Sequence, residues 1–142
     1  VEDNELNMEI AEFMLQNEGA YVTKAWNGQE AVEIFEKSKP DEFDVILMDI
    51  MMPVMNGYEA TKMIRSLDRK DAKKISIIAM TANAFIEDRI RAKEAGMDEH
   101  LSKPIVIDEV IRTILRCVHF DKEFKNTYSE RSVDSCSEVT GK

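Results

Sequence analysis

Apolar residues recur along the chain first at helical spacing, then in short unbroken runs, and the two patterns alternate. Leu6, Ile10, Phe13 and Met14 repeat as one stripe of a helix, and Gly19 follows where a C-cap glycine belongs. Tyr21 to Ala25 reads as a short strand that stops at the turn signal Asn27-Gly28. Ala31, Ile34 and Phe35 mark a second helix closed off by Pro40, and Phe43 to Met48 is nearly all apolar, as in a strand covered on both faces. Ala60, Met63, Ile64 and Leu67 give a third helical stripe. Ile75 to Met80 is the next buried strand, and 84–95 is a helix ending at Gly96. Glu99 to Ser102 is a short strand, and Val110, Ile111, Ile114, Leu115 and Val118 make the clearest amphipathic helix. Strands separated by helices predict a parallel sheet with helices on both faces, so the fold class is α/β.

In such a sheet, chemistry collects beyond the carboxyl ends of the strands. Each predicted strand end carries something polar. Glu2 and Asp3 follow Val1, which reads as the last residue of a strand; Asp49 ends the run Val45 to Met48; Thr81 ends "ISIIAM"; Lys103 ends "EHLS". Singly, each has an ordinary structural explanation as a turn, cap or solvated residue. Together they bring three carboxylates, a hydroxyl and an ammonium to one rim. Clustered carboxylates repel, and an oxygen-preferring divalent cation holds them ionised; Mg²⁺ suits a site that leaves room for water and phosphate oxygens. A carboxylate can also attack phosphorus as a nucleophile, with lysine and a hydroxyl neutralising the phosphoryl oxygens.

Composition removes other classes. With 142 residues, 44% hydrophobic and 33% charged, the chain reads as one soluble globular domain. A net charge of -9 argues against nucleic-acid or anionic-lipid surfaces. No apolar run reaches membrane-spanning length. Cys117 and Cys136 have no CxxC spacing, and a reduced, cytoplasmic setting is the simplest reading. Met48 reads as core and Met51, Met52 and Met55 as loop-lining gap-fillers. Trp26 reads as a surface ring. Neither His100 nor His119 has a metal-ligand partner at useful spacing, and His119 ends the last helix. Residues 120–142 are dominated by Ser, Thr, Glu and Lys, and read as a disordered tail or linker.

The segments "VEDNELN", "DVILMDIMMPVMNGYEA", "IIAMTANAF" and "AGMDEHLSKPI" resemble, in order, the signatures of the two-component response-regulator receiver domain, most like the receivers attached to hybrid sensor histidine kinases. The resemblance covers residues 1 to about 119. It implies a flavodoxin-like doubly wound sheet of order 2-1-3-4-5 and a phosphorelay role. It further implies that Asp49 accepts phosphate from the phosphohistidine of a histidine kinase or histidine phosphotransfer protein. Asp3 and Asp49 would hold Mg²⁺, with Glu2 acting through water and Met51 through its backbone carbonyl. Lys103 would pair with the phosphoryl group, Thr81 would close onto it, and Pro53 and Gly57 would shape the loop after the acceptor. Such a domain is a phospho-acceptor that promotes its own phosphorylation and slow dephosphorylation rather than an enzyme in the usual sense.

Three departures stand out. His100 occupies the position where receivers usually carry a Tyr or Phe switch, and is either a switch or a ring filling that space. Val106 stands where a capping Asp or Ser is usual, so Asp108 is expected to cap the last helix instead. The sequence opens at the end of the first strand, so that strand is largely missing. Its removal from between 21–25 and 43–49 predicts a slot about 10 Å wide. It also removes about four apolar residues worth roughly 1.5–3 kcal/mol each. The chain is therefore expected to be a fragment that is unstable alone or borrows a strand. Two other readings compete. A pseudo-receiver would be expected to lack one of Asp3, Asp49, Thr81 or Lys103, and all four are present. An aspartyl-phosphate hydrolase resembles DxDx[TV], but Ile50 and Met51 follow Asp49.

Overall fold

A computed structural model describes residues 1–82 and 85–117. Expectations concerning residue 84, Val118, His119, Cys136 and the 120–142 tail lie outside the described residues. Helices α1 (Glu5–Asn17) and α2 (Gly28–Lys37) precede β1 (Val45–Asp49), followed by α3 (Gly57–Ser66), a short α4 (Lys70–Lys74) and β2 (Ser76–Thr81). The chain continues with α5 (Ile86–Ala95), β3 (Glu99–Ser102) and α6 (Ile107–Cys117). The strands pair in parallel in the order β1-β2-β3, with Asp49 level with Met80 and Thr81 level with Ser102.

Strand alternation divides the interior in two. Ile46, Met48, Ile77 and Ala79 face a core with Phe35 of α2, Ile64 of α3 and Ala92 of α5. Val45, Leu47 and Ile78 face the other side, against Val110 and Ile114 of α6 and Leu15 of α1. Helices thus cover both faces, as the continuous apolar strands require. α3 starts with a capping box, in which Asn56 accepts from the Glu59 N–H at 2.9 Å and Glu59 accepts from the Asn56 N–H at 3.3 Å.

Several sequence expectations change. Tyr21–Ala25 is not a strand: it has no ladder along its length, and its contact with the sheet region is the Glu2 N–H donating to the Ala25 carbonyl at 3.0 Å. Val1 stands on the opposite side of that stub, where its carbonyl accepts from the Asp49 N–H at 3.0 Å. The two residues Val1 and Glu2 thus bridge 21–25 and β1, and beside them runs an apolar cleft of about 140 Å³ bordered by Met8, Leu15, Val22, Phe43 and Leu47. The observed sheet is the 3-4-5 part of the expected order. Helix α1 lies where its periodicity predicts but turns a different face inward. Met8 is buried, whereas Leu6, Ile10 and Phe13 are 64%, 47% and 71% exposed. Met8, Ala11 and Leu15 form a second stripe of equally good spacing, and the inner face is decided by packing. Asp108 does not cap α6, which already begins at Ile107; the Val106 carbonyl takes the Val110 N–H at 3.0 Å, and Asp108 sits in the first turn, where its charge favours the helix dipole.

Two arginines that no pattern announced tie the loops together. Arg65 donates to the carbonyls of Gly96 (2.9 Å) and Ala72 (3.0 Å) and to Asp98 (2.9 Å). Arg69 lies over the Phe35 ring and donates to the carbonyls of Phe35, Ser38 and Lys39 at the end of α2.

Val54 lies in the loop after β1 with φ +69° and its side chain 76% exposed. A β-branched residue is strained in that left-handed conformation, which asparagine tolerates. Val54→Asn should therefore stabilise the chain by about 1 kcal/mol. A rise in the urea midpoint at constant slope is the measurement that checks it.

Candidate phosphoacceptor site

The rim beyond the strand ends is assembled from four places in the chain. The apolar residues of β1 lie against both cores and deliver Asp49 at the strand's last position, where it is only 4% exposed. Glu2 and Asp3 arrive from the stub beside β1, and Lys103 follows directly after β3. Carboxylate oxygens of Glu2, Asp3 and Asp49 lie within 4.8 Å of one another. The Lys103 ammonium donates to Glu2 at 2.8 Å and to Asp49 at 3.0 Å. The backbone continues from Lys103 into a cis peptide bond to Pro104.

Thr81 ends β2 one residue beyond the level of Asp49 and is buried. Its carbonyl accepts from the Lys103 N–H at 2.8 Å, which holds the two strand ends together. His100 stands on β3, level with Ala79, and with Thr81, Ile50, Arg89 and Ala92 it borders a small cleft at the side of the rim. Met51 projects its side chain outward, 76% exposed. Pro53 follows in a turn, with its carbonyl accepting from the Met55 N–H at 2.7 Å. Gly57 closes the loop. A Cβ there would stand 2.4 Å from the Asp49 carbonyl, so any larger residue would displace the acceptor's backbone. Glu2, Asp3, Asp49 and Lys103 thus meet at this rim, Thr81 ends the neighbouring strand, His100 lies to one side, and Met51, Pro53 and Gly57 belong to the segment after β1.

One neighbour was missed. Asn7, in the first turn of α1, donates its side-chain amide to Glu2 Oε1 at 3.4 Å. The signal was available: Asn4 caps α1 through the Asn7 N–H at 3.0 Å, and the third helical position, where a capping box prefers Glu or Gln, is an amide donor next to an acid pair.

The electrostatics follow from burial and the shared ammonium. Burial pushes Asp49 up to about 6 against the pull of Lys103, and the negative charge of Glu2 adds to the rise. Glu2 is also penalised by burial, but Lys103, Asn7 and the Asn4 N–H together hold it below the usual carboxylate range. Burial works against the charge on Lys103 as well, and its two carboxylate partners outweigh that and raise it. Burial and then the charge of Arg89 lower His100, with Glu99 opposing. The three carboxylates, two of them buried, form an oxygen donor set of the kind that a hard dication fits.

A parallel α/β sheet with an acid triad and a lysine gathered beyond its strand ends has its candidate chemistry where sheets of this kind bind ligands. The sequence matches the response regulator receiver domain over residues 1–115, and the chain belongs to that family. It is 39% identical over 111 residues to hybrid signal transduction histidine kinase L of Dictyostelium discoideum, covering 78% of this chain but 6% of that kinase. It is 37% identical over 114 residues to the polar-differentiation response regulator DivK of Brucella anthropi, covering 80% of this chain and 89% of that protein. Among solved structures it is similar to the receiver domain of a sensor histidine kinase from Pseudomonas aeruginosa that has magnesium coordinated in its active site cleft. There the TM-score is 0.74 and the identity 39%, covering 82% of this chain and 92% of that one. The chain thus spans a small part of the hybrid kinases it matches and nearly all of the single-domain regulator. No described helix is long and apolar enough to cross a membrane.

Because Asp49 sits at about 6 in the folded chain and at an ordinary 3.8 unfolded, its ionised form opposes folding at neutral pH. That opposition is complete above pH 6 and fades as pH falls through 6 towards 4. Without divalent cations, Asp49→Asn should raise the thermal midpoint at pH 7.5, and the gain should shrink as the pH approaches 5. Calorimetry across that range checks both sign and slope.

Proposed function

We propose that this receiver accepts a phosphoryl group on Asp49 from the phosphohistidine of a histidine kinase or histidine phosphotransfer protein, in a Mg²⁺-dependent reaction, and that this switches a protein-interaction face. The observation that carries the reading is the convergence of Glu2, Asp3 and Asp49 within 4.8 Å, with Lys103 donating to two of them. Asp3 and Asp49 would hold the cation, with Glu2 acting through water and Met51 through its backbone carbonyl. When bound, Mg²⁺ supplies positive charge to the phosphoryl oxygens.

The chain's own residues do the rest. The strand anchor fixes the Asp49 carboxylate, one oxygen of which attacks phosphorus as the P–N bond breaks. The bonding pair goes to the imidazole nitrogen, and the donor histidine leaves neutral with its proton on the other ring nitrogen. Lys103 exchanges a carboxylate oxygen for a phosphoryl oxygen, and the Thr81 hydroxyl donates to another. Pro53 and Gly57 keep the intervening loop shaped so that the acceptor is not displaced. The inward draw on Thr81 opens room beside it for His100, which repacks the face made by β3 and α5. The net charge of -9 supports a protein partner rather than a nucleic acid. Retention of Asp3, Asp49, Thr81 and Lys103 at one rim gives the pseudo-receiver alternative no support.

Incubation with a small-molecule phosphodonor such as acetyl phosphate should add one phosphoryl group by mass spectrometry when Mg²⁺ is present and none when it is chelated. Asp49→Asn should abolish the adduct, since an amide is not a nucleophile here. Labelling of the Asn variant to the parent's extent would sink the assignment.

Switching is tested separately. Hydrogen exchange with and without the phosphodonor should change within residues 81–104. Uniform exchange across that span would leave the Thr81 and His100 roles without basis.

A further inference from the structure

Glu2 is held at both oxygens, and by different chemistry at each. Oε2 takes the Lys103 ammonium at 2.8 Å. Oε1 takes the Asn4 backbone N–H at 3.3 Å and the Asn7 side-chain amide at 3.4 Å. The second arrangement is a modified helix start. In a capping box the third helical residue returns a carboxylate or carboxamide oxygen to the N-cap N–H. In α1 that N–H is Asn4's, and the oxygen it finds belongs to Glu2, two residues upstream of the cap. Asn7, at the third helical position, turns its own NH₂ to the same oxygen. Glu2 is therefore built into the start of α1, and the positive end of the helix faces it.

The two sides differ in what the proposed reaction does to them. In the proposed reaction Lys103 turns towards the phosphoryl group, so its bonds to Glu2 and Asp49 are the ones open to exchange. The Asn4 and Asn7 bonds involve neither the cation nor the phosphoryl group, so the proposed reaction itself does not call for breaking them. An exposed side chain on α1 thereby keeps a 3% exposed carboxylate aimed at the rim while its other partner is open to exchange.

We infer that Asn7 is a positioning residue for the cation site, acting only through Glu2: its amide fixes Oε1 so that Oε2 faces the acid cluster. The inference rests on the Mg²⁺ reading above. It requires a donor at position 7. A glutamate there, the usual capping-box residue, would set a second negative charge against Glu2.

The test is a double-mutant cycle on Mg²⁺ affinity, measured by isothermal titration calorimetry on the full chain without any phosphodonor. Asn7→Ala should weaken Mg²⁺ binding about tenfold, the size of effect seen when an outer partner of a metal ligand is removed. The same change in a Glu2→Gln background should cost less than about twofold, because the carboxylate through which Asn7 acts is gone. Alanine is the best helix former, and the Asn7 side chain is exposed, so the variant's circular dichroism should match the parent's. Asn7→Ser serves the same cycle if it does not. Parent-like affinity in Asn7→Ala, or an equal loss in both backgrounds, overturns the role of Asn7 and leaves the cation site standing. A parent chain that binds no Mg²⁺ overturns both.

Discussion

One ammonium between two carboxylates governs the rim. Lys103 reaches Glu2 and Asp49 from the far edge of the sheet, 101 and 54 residues away in sequence. Both acids are almost wholly shielded from water, and a buried charge without a partner is far more costly than a buried pair. The ammonium is therefore a condition for the acids to lie where the strands put them. It does not satisfy them equally. Glu2 has three donors and stays acidic, whereas Asp49 shares one and is pushed up. The group left short of compensation is the one proposed as nucleophile, which is how functional sites commonly spend stability.

The rest of the architecture serves that arrangement. Parallel strands with apolar residues on both faces have no freedom to slide, because a shift of one residue would expose a core side chain and bury a polar one. Asp49, Thr81 and Lys103 are thus fixed in height relative to one another by Met48, Ile77, Ile78 and Leu101 rather than by contacts at the rim itself. Arg65 and Arg69 do similar work beneath the sheet, gathering carbonyls from loops that would otherwise have to find water.

What could be read from the residues, and what could not, divides along physical lines. Strand ends were legible because apolar runs are long-range statements about burial, and Asp49, Thr81 and Glu99–Ser102 fall where the runs stop. The face of α1 was not legible, since Leu6, Ile10 and Phe13 satisfy the helical period as well as Met8, Ala11 and Leu15 do; only packing selects between them. The segment Tyr21–Ala25 has strand-like residues, but a strand is a property of two backbones, and its neighbour here is a two-residue stub. Arg65 and Arg69 were invisible for a related reason: their acceptors are mainly backbone carbonyls, which carry no residue signature. Asn7 is readable in principle from its place in the cap, but an uncharged amide on an exposed helix turn carries a far weaker signal than the acids beside it.

The backbone bond from the Lys103 N–H to the Thr81 carbonyl has a bearing on tempo. It pins the ends of β2 and β3 to each other at 2.8 Å, in a strand buried along its whole length. Any rearrangement that starts at Thr81 must then proceed by torsion about its side-chain bonds, with the main chain as a fixed pivot. Rotamer exchange at such a site belongs to the fast end of protein motion, whereas helix displacement is slower by orders of magnitude. Under the proposed phosphorylation, the lag between phosphoryl arrival and a change at the surface would accordingly be set by how quickly α5 resettles.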